Sequence, residues 1–290
     1  MRFDPKPTKY PFPKHTDKHY LVVKKNDGTV FDKDYPYIDR SKTMRFKMFL
    51  MRVALRVLVF PIMTVRLGLK TVGRDKLKKN ADLLRGGVIS CANHVHLWDY
   101  LAVMKAIRPR RSYILAWAKN MRGENKDLIR LNGGIPVPEG DTHATFAFMN
   151  AVKGALNDGE WLHIYAEGSM WEYYAPIRPF KGGIGYFSAA TGKPVLPMAF
   201  SYREPGFIRK KIFGQTALFT LAIGDPIMPD ESLPRKEREN DVVRRAHEAV
   251  CRLSGVEPKD NIYPPIYNDS ERIDYYPLPL AEKEEEKISI

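Results

Sequence analysis

Disulfide chemistry has little to work with in this chain, whose 290 residues include two cysteines, Cys91 and Cys251. Two thiols make no framework, and they read as reduced core residues of a cytosolic protein. An apolar leader is missing as well: the first 20 residues are polar and proline-rich with no apolar centre, so no secretory signal is expected. No internal repeat is visible, which argues against a solenoid. The most telling lack is of carboxylates. The formal charge is +13, and from Arg40 to Arg74 nine basic residues occur without one acidic residue.

Such an excess calls for an anionic partner or surface, and its distribution decides between nucleic acid and lipid. On a helix, Lys42, Arg45, Arg52, Arg56, Arg66 and Lys70 fall in one sector roughly 120° wide. Phe46, Met48, Phe49, Leu50, Met51, Val53, Leu55, Val57, Leu58, Val59, Phe60, Ile62 and Met63 make the rest of the surface almost wholly apolar. This pattern predicts a basic amphipathic helix lying in an anionic membrane interface. Its longest uncharged run, Val57–Val65, falls short of the ~20 residues of a span, and Pro61 is expected to kink it into two helices. The alternative is a helix packed on the protein's own core. A nucleic-acid module would spread its cations and supply aromatics for stacking, so no nucleic-acid partner is expected.

Beyond that segment, short apolar runs alternate with helical patterns. Strands are predicted at 87–92, 113–118, 162–166, 195–201 and 218–223, and helices at 97–107, 125–131, 142–157, 183–191 and 235–253. Such alternation predicts an α/β fold with a mostly parallel central sheet flanked by helices. Asp141 is a plausible helix cap and Gly159 a plausible stop. The chain divides into a loosely packed N-terminal extension (1–40), basic amphipathic membrane-surface helices (41–70), a catalytic domain (71–255) and a Pro/Tyr-rich, acidic C-terminal tail (256–290). In the extension, Asn26-Asp27-Gly28 between Tyr20–Val23 and Thr29–Phe31 suggests a small hairpin. The terminal run Glu282–Lys287 reads as a solvated face.

The densest chemistry is in Ile89-Ser90-Cys91-Ala92-Asn93-His94-Val95-His96-Leu97-Trp98-Asp99. A buried strand would deliver His94 to a sheet edge, with an aspartate five residues on. Histidine's ordinary pKa of about 6.5 suits a general base, and a carboxylate on one ring nitrogen fixes the tautomer that leaves the other nitrogen basic. His94 and Asp99 therefore read as base and orienter. His96 cannot share those contacts and reads as a site wall.

Asn93-His94-(four residues)-Asp99 resembles the first block of the glycerolipid acyltransferases, the lysophosphatidic acid acyltransferase family (HX4D motif). Gly133-Gly134-Ile135-Pro136-Val137 resembles the second block, Ile164-Tyr165-Ala166-Glu167-Gly168-Ser169 the third and Val195-Leu196-Pro197-Met198 the fourth, in the family's order. The resemblance implies an acyltransferase of phospholipid biosynthesis, moving a fatty acyl group from an acyl-CoA or acyl carrier protein thioester to a lysophospholipid, most simply lysophosphatidic acid. It implies no metal and no cofactor beyond that co-substrate, catalysis by His94 and Asp99, and acceptor binding by Glu167, Gly168 and Ser169. It also implies work at the cytoplasmic face of a membrane.

Two positions depart from the family. Pro138 and Met170 stand where arginines associated with the acceptor phosphate are common. Lys119, Arg178 and Lys181 are the nearby cations that would replace them, Lys181 just before the Gly182-Gly183 pair. The departures leave room for another lysophospholipid or a lipid alcohol as acceptor. Met170, Trp171, Tyr173 and Tyr174 read as the lining of a lipid entrance or as core. Two rivals remain: a metallohydrolase built on His94-Val95-His96, which lacks the His-x-His-x-Asp-His order, and a non-catalytic lipid-binding relative, which would not need both His94 and Asp99.

Overall fold

Residues 3, 5 and 26–260 are described in this computed structural model. A helix runs from Lys42 to Arg66 as α1 (Lys42–Ala54), a π-helical turn (Leu55–Val59) and α2 (Phe60–Arg66). Then come β1 (Lys70–Val72), α3 (Arg74–Lys79), β2 (Val88–Cys91), α4 (Asp99–Ala106), β3 (Ser112–Trp117), α5 (Lys126–Leu131), β4 (Gly134–Val137), α6 (Thr142–Asn157) and β5 (Trp161–Ile164). The chain continues through α7 (Gly183–Thr191), β6 (Val195–Arg203), α8 (Phe207–Lys211), β7 (Leu218–Ile223) and α9 (Arg235–Ser254).

The strands form one seven-stranded sheet in the order β1-β7-β6-β2-β5-β3-β4. All neighbours are parallel except β6 and β7. The α/β expectation holds. Period-two alternation along the strands splits the core into two layers. Val88, Leu196, Met198, Leu221 and Ile223 face α4 and the N-terminal helix, whereas Ile89, Cys91, Leu162, Val195 and Ala199 face α6, α7 and α9. Both cysteines are buried thiols and neither is in a disulfide. The Asp141 carboxylate accepts the His143 N–H at 2.8 Å and caps α6, and Gly159 follows that helix at φ +86°.

Two expectations are corrected, and one alternative for the 42–66 helix is partly met. The 42–66 helix is not broken at Pro61. Proline lacks an N–H and its ring collides with the carbonyl four residues back, and the π turn just before it absorbs this: the Phe60 N–H bonds to Leu55 O, five residues back, instead. The helix is also part of the core, because Leu55, Phe60 and Met63 pack in one cluster with Leu84, Val88 and Leu196. Thr29–Phe31 forms no strand. Its Phe31 packs with Ala118 and Met121 instead, and Tyr20–Val23 lie outside the described residues, as does the acidic run 282–287.

The topology places the site. From β2 the chain crosses over β5 to reach β3, and from β5 it returns over β2 to reach β6. Their outgoing helices, α4 and α7, lie in opposite layers, so a crevice opens at the carboxyl ends of β2 and β5. His94 follows β2 there, and Glu167-Gly168-Ser169 follows β5.

Candidate active site

The chain enters α4 eight residues after β2 ends, so Asp99 sits at a helix start, five residues after His94 in the connecting loop. The His94 Nδ1–Asp99 Oδ2 distance is 2.7 Å. The same oxygen accepts the backbone N–H groups of Val95 (3.0 Å) and His96 (3.2 Å), and Oδ1 accepts the Tyr165 hydroxyl at 2.6 Å. Burial alone would raise the Asp99 pKa, but the His94 ring, the Tyr165 hydroxyl and the Val95 N–H outweigh it and hold the carboxyl below its ordinary value. An ionised acceptor surrounded by donors requires the proton of His94 to sit on Nδ1. Nε2 is then the basic nitrogen, on a side chain still 25 % exposed.

The ring is held on other sides too. Tyr165 stacks flat on His94 at 3.8 Å between centroids and 9° between planes. The Asn93 amide donates to Phe200 O (3.0 Å) and accepts the Phe200 N–H (2.7 Å), pinning the loop to β6. The Trp171 and Tyr173 N–H groups donate to the His94 and Val95 carbonyls, both at 3.0 Å. Sequence reasoning assigned Asn93 and Tyr165 no role of their own, because both bonds are made across the sheet and no spacing announces them.

Glu167 and Arg178 stand differently from the sequence expectation. Glu167 is 2 % exposed. Its Oε2 accepts the His94 N–H (3.0 Å) and the Arg178 guanidinium (2.7 Å), while Oε1 accepts the Arg178 N–H (2.8 Å). Arg178 is fully buried, donates to Ser169 Oγ at 2.6 Å and also to Ser169 O, and lies 4.5 Å from the Trp171 ring centre. This ion pair braces the turn beneath His94, which corrects the expectation of an Arg178 facing a ligand. Lys181 is exposed, and its side chain lies across Gly168, where any Cβ would meet its Cε at 2.6 Å and its Nζ at 2.8 Å. Gly168, at φ +81°, makes that approach and that turn possible. Lys119 is exposed over the Trp117 ring at the end of β3, with β5 between that strand and β2.

Beside the site a cavity of ≈680 Å³ is lined by residues that include His96, Tyr173, Arg66, Pro61, Ile62 and Phe213. His96 accepts the Trp98 N–H on Nδ1, and burial keeps its pKa below the ordinary histidine value. It is therefore a neutral residue that lines the cavity. The aromatic cluster divides: Trp171 and Tyr174 are core, and Tyr173 lines the cavity. Arg66 reaches the cavity while lying over Trp98 at 5.4 Å. The helical wheel places it among the surface cations and gives no sign of that position. Pro138 and Met170 are both buried.

Residues 69–201 match the family model described as Acyltransferase. The chain carries an acyltransferase domain. The match runs from the start of the sheet through β6 and contains all four sequence blocks, in agreement with their likeness to the glycerolipid acyltransferases. No curated protein matches the chain. Among solved structures the chain is similar to the 1-acyl-sn-glycerophosphate (LPA) acyltransferase PlsC from Thermotoga maritima. It is 17 % identical, with a TM-score of 0.41, over 73 % of this chain and 84 % of that one. Within this acyltransferase domain, His94, Asp99 and the Glu167–Arg178 pair form one connected hydrogen-bonded cluster.

Proposed function

We propose that the acyltransferase domain transfers a fatty acyl group from acyl-CoA or acyl carrier protein to the hydroxyl of a lysophospholipid, lysophosphatidic acid before others, with no metal or further cofactor. The observation that carries this reading is the 2.7 Å His94–Asp99 contact with Nε2 left on the open side. Nε2 takes the proton of the acceptor hydroxyl as its oxygen attacks the thioester carbonyl carbon. The tetrahedral oxyanion collapses, the C–S bond breaks, and the proton passes from His94 to the departing thiolate. No covalent enzyme intermediate is required, because a thioester is already activated. Asp99 stabilises the imidazolium that forms without taking its proton.

Acyl chains need an apolar route, and the cavity beside His96 and Tyr173 opens among Pro61, Ile62, Val65 and Phe213. The 42–66 helix exposes Phe46, Phe49, Leu50, Val53, Val57, Leu58, Ile62 and Val65, each 45–64 % exposed. By length and composition this helix is able to cross a membrane. Its buried residues Met48, Leu55, Phe60 and Met63 are spread along it, however, and tie it to the domain. A helix held this way lies in the plane of an interface with its outer face in lipid. We assign that interface to the cytoplasmic leaflet of an anionic membrane, with residues 41–70 as the anchor and 71–255 as the catalytic unit.

A purified-protein assay tests the reading. Labelled acyl-CoA and acyl carrier protein thioesters are offered with lysophosphatidic acid, other lysophospholipids and a lipid alcohol. Transfer to lysophosphatidic acid above the rest is expected. Preference for an acceptor lacking the phosphomonoester would tie the apolar Pro138 and Met170 to a change of acceptor, and no transfer to any would leave a lipid-binding protein.

A further inference from the structure

At the amino end of β3, away from the carboxyl ends of β2 and β5 that hold His94, lies a second cleft, of ≈450 Å³, between α1–α2 and the corner that joins α4 to β3. Six arginines line it: Arg52, Arg56, Arg74, Arg108, Arg110 and Arg111, and no carboxylate does. They come from three separate stretches of chain, so no single helix face accounts for them. Among the described residues none of the six forms an ion pair. Arg108 lies over the Phe60 ring at 5.5 Å and Arg110 over Trp161 at 5.4 Å, positions that fix guanidinium planes without neutralising them. Arg52 is held below its ordinary pKa by burial and by Arg111, and Arg108 by burial and by Arg56 and Arg74. Unpaired cations crowded to the point of mutual repulsion are a costly arrangement unless an anion joins them.

The floor says which kind of anion. Phe49, Val53, Leu55, Phe60 and Met104 line the same cleft, and Phe49 and Val53 continue into the exposed apolar face of the helix. A soluble phosphate would use the arginines and waste the floor. An anionic phospholipid uses both: guanidiniums grip phosphate oxygens in pairs, and its acyl chains run onto the helix face. We propose that this arginine cleft is a headgroup site for an anionic membrane phospholipid, separate from the acceptor site, that fixes the enzyme's orientation on the bilayer. The cleft lies along the middle of the helix, from Phe49 to Phe60, and the His96 cavity along its last turns, from Pro61 to Arg66, so a lipid held in the cleft would keep the helix flat and the cavity mouth against the membrane.

The proposal rests on the membrane reading above, and its test separates the two. Partition of the full chain onto vesicles of phosphatidylcholine, and of phosphatidylcholine with phosphatidylglycerol, is measured for three proteins. These are the wild type, the triple variant Arg56→Gln, Arg74→Gln, Arg111→Gln, and the triple variant Lys153→Gln, Lys236→Gln, Arg244→Gln. The first triple removes exposed arginines that stack on no ring; the second removes as many cations from α6 and α9 on the other face. The cleft triple should lose roughly a hundredfold in partition to the anionic vesicles, about fivefold per cation, and the far-face triple less than about threefold. A wild type that binds no anionic vesicle sinks the membrane reading and this proposal with it. A wild type that binds while both triples lose equally sinks the cleft alone. Calorimetric titration with coenzyme A and with inorganic phosphate closes the soluble alternative: a site for either one that the wild type has and the cleft triple lacks overturns the lipid assignment. Circular dichroism and thermal unfolding verify the fold, and if the triple does not fold, Arg56→Gln alone should lose about fivefold.

Discussion

Asp99 is 1 % exposed, yet four donors converge on it, and that surplus decides what His94 does. An amide in its place loses the charge and turns two hydrogens toward groups that already donate. Asp99→Asn should therefore lower turnover by about 10²–10⁴, through the wrong tautomer of His94. His94→Ala should cost as much, with acceptor KM little changed in either. Near-wild-type turnover from a folded sample of either variant would remove the mechanism. At the site rim, Lys181 is the exposed cation beside Gly168. If the acceptor carries a phosphate, a charged bond is worth roughly 1.5–3 kcal/mol, and Lys181→Ala should lower kcat/KM for lysophosphatidic acid about ten- to a hundredfold. Equal losses on a phosphate-free acceptor would show that Lys181 reads something else.

His163, under the Tyr165 ring at 4.5 Å and bonded to Ser90 Oγ at 2.9 Å, is fully buried, and burial pushes its pKa down to about 3. An unfolded chain protonates that histidine near 6.5, so between these values the unfolded state binds the extra proton. Stability should fall as pH drops through that window, by up to about 1.4 kcal/mol per pH unit from this group. Asp99, with its pKa depressed, adds stability that is kept above its unfolded value and lost only at lower pH. Chemical denaturation of the wild type and His163→Asn across pH 4 to 7 checks the larger effect: the variant's slope should be flatter, and an unchanged slope would place the acid sensitivity elsewhere.

Among the elements, the strands that share the buried centre were the legible ones. β2, β5, β6 and β7 lie within about two residues of their expected ends, because burial on both faces demands continuous apolar runs, and half-buried β3 lies as close through its own apolar run Tyr113–Ala118. β1 and β4, the edges, escaped. β1 has three residues and only partial burial, too short for any period to register. β4 contains Pro136, which argues against a strand in a sheet interior but is tolerated at an edge where no partner needs its N–H. The HX4D pair was legible because loop and helix fix it locally; the Glu167–Arg178 bond was not, since it depends on how the chain folds back between residues eleven positions apart. On the 42–66 helix, periodicity showed an apolar surface but not which part the domain covers, since the π turn shifts the register midway. Leu58 and Ile62, both 60 % exposed, fall on the free side. Leu58→Gln with Ile62→Gln should weaken vesicle partition by roughly 1–2 kcal/mol for each side chain while leaving thermal stability nearly unchanged. A large drop in melting temperature instead would mean that this face packs on protein.

For the whole molecule, charge and apolar surface have to be separated, because both are concentrated on the 42–66 helix and each alone would bring it to a membrane. The acid-free stretch from Arg40 to Arg74 and the net charge of +13 create an attraction that ions screen over about 10 Å at 0.1 M salt and about 3 Å at 1 M. The apolar contribution responds in the opposite sense, if at all, since salts that are excluded from surfaces strengthen burial. Partition onto anionic vesicles should accordingly fall by at least about tenfold when salt rises from ~0.05 to ~0.5 M, and then level off at a residue set by the helix face. Neutral vesicles should show only that residue, nearly independent of salt. Equal binding to neutral and anionic vesicles at low salt would refute the electrostatic contribution. Release to zero at high salt would refute the apolar one, and with it the picture of a helix sunk into the interface beside the mouth of the His94 site.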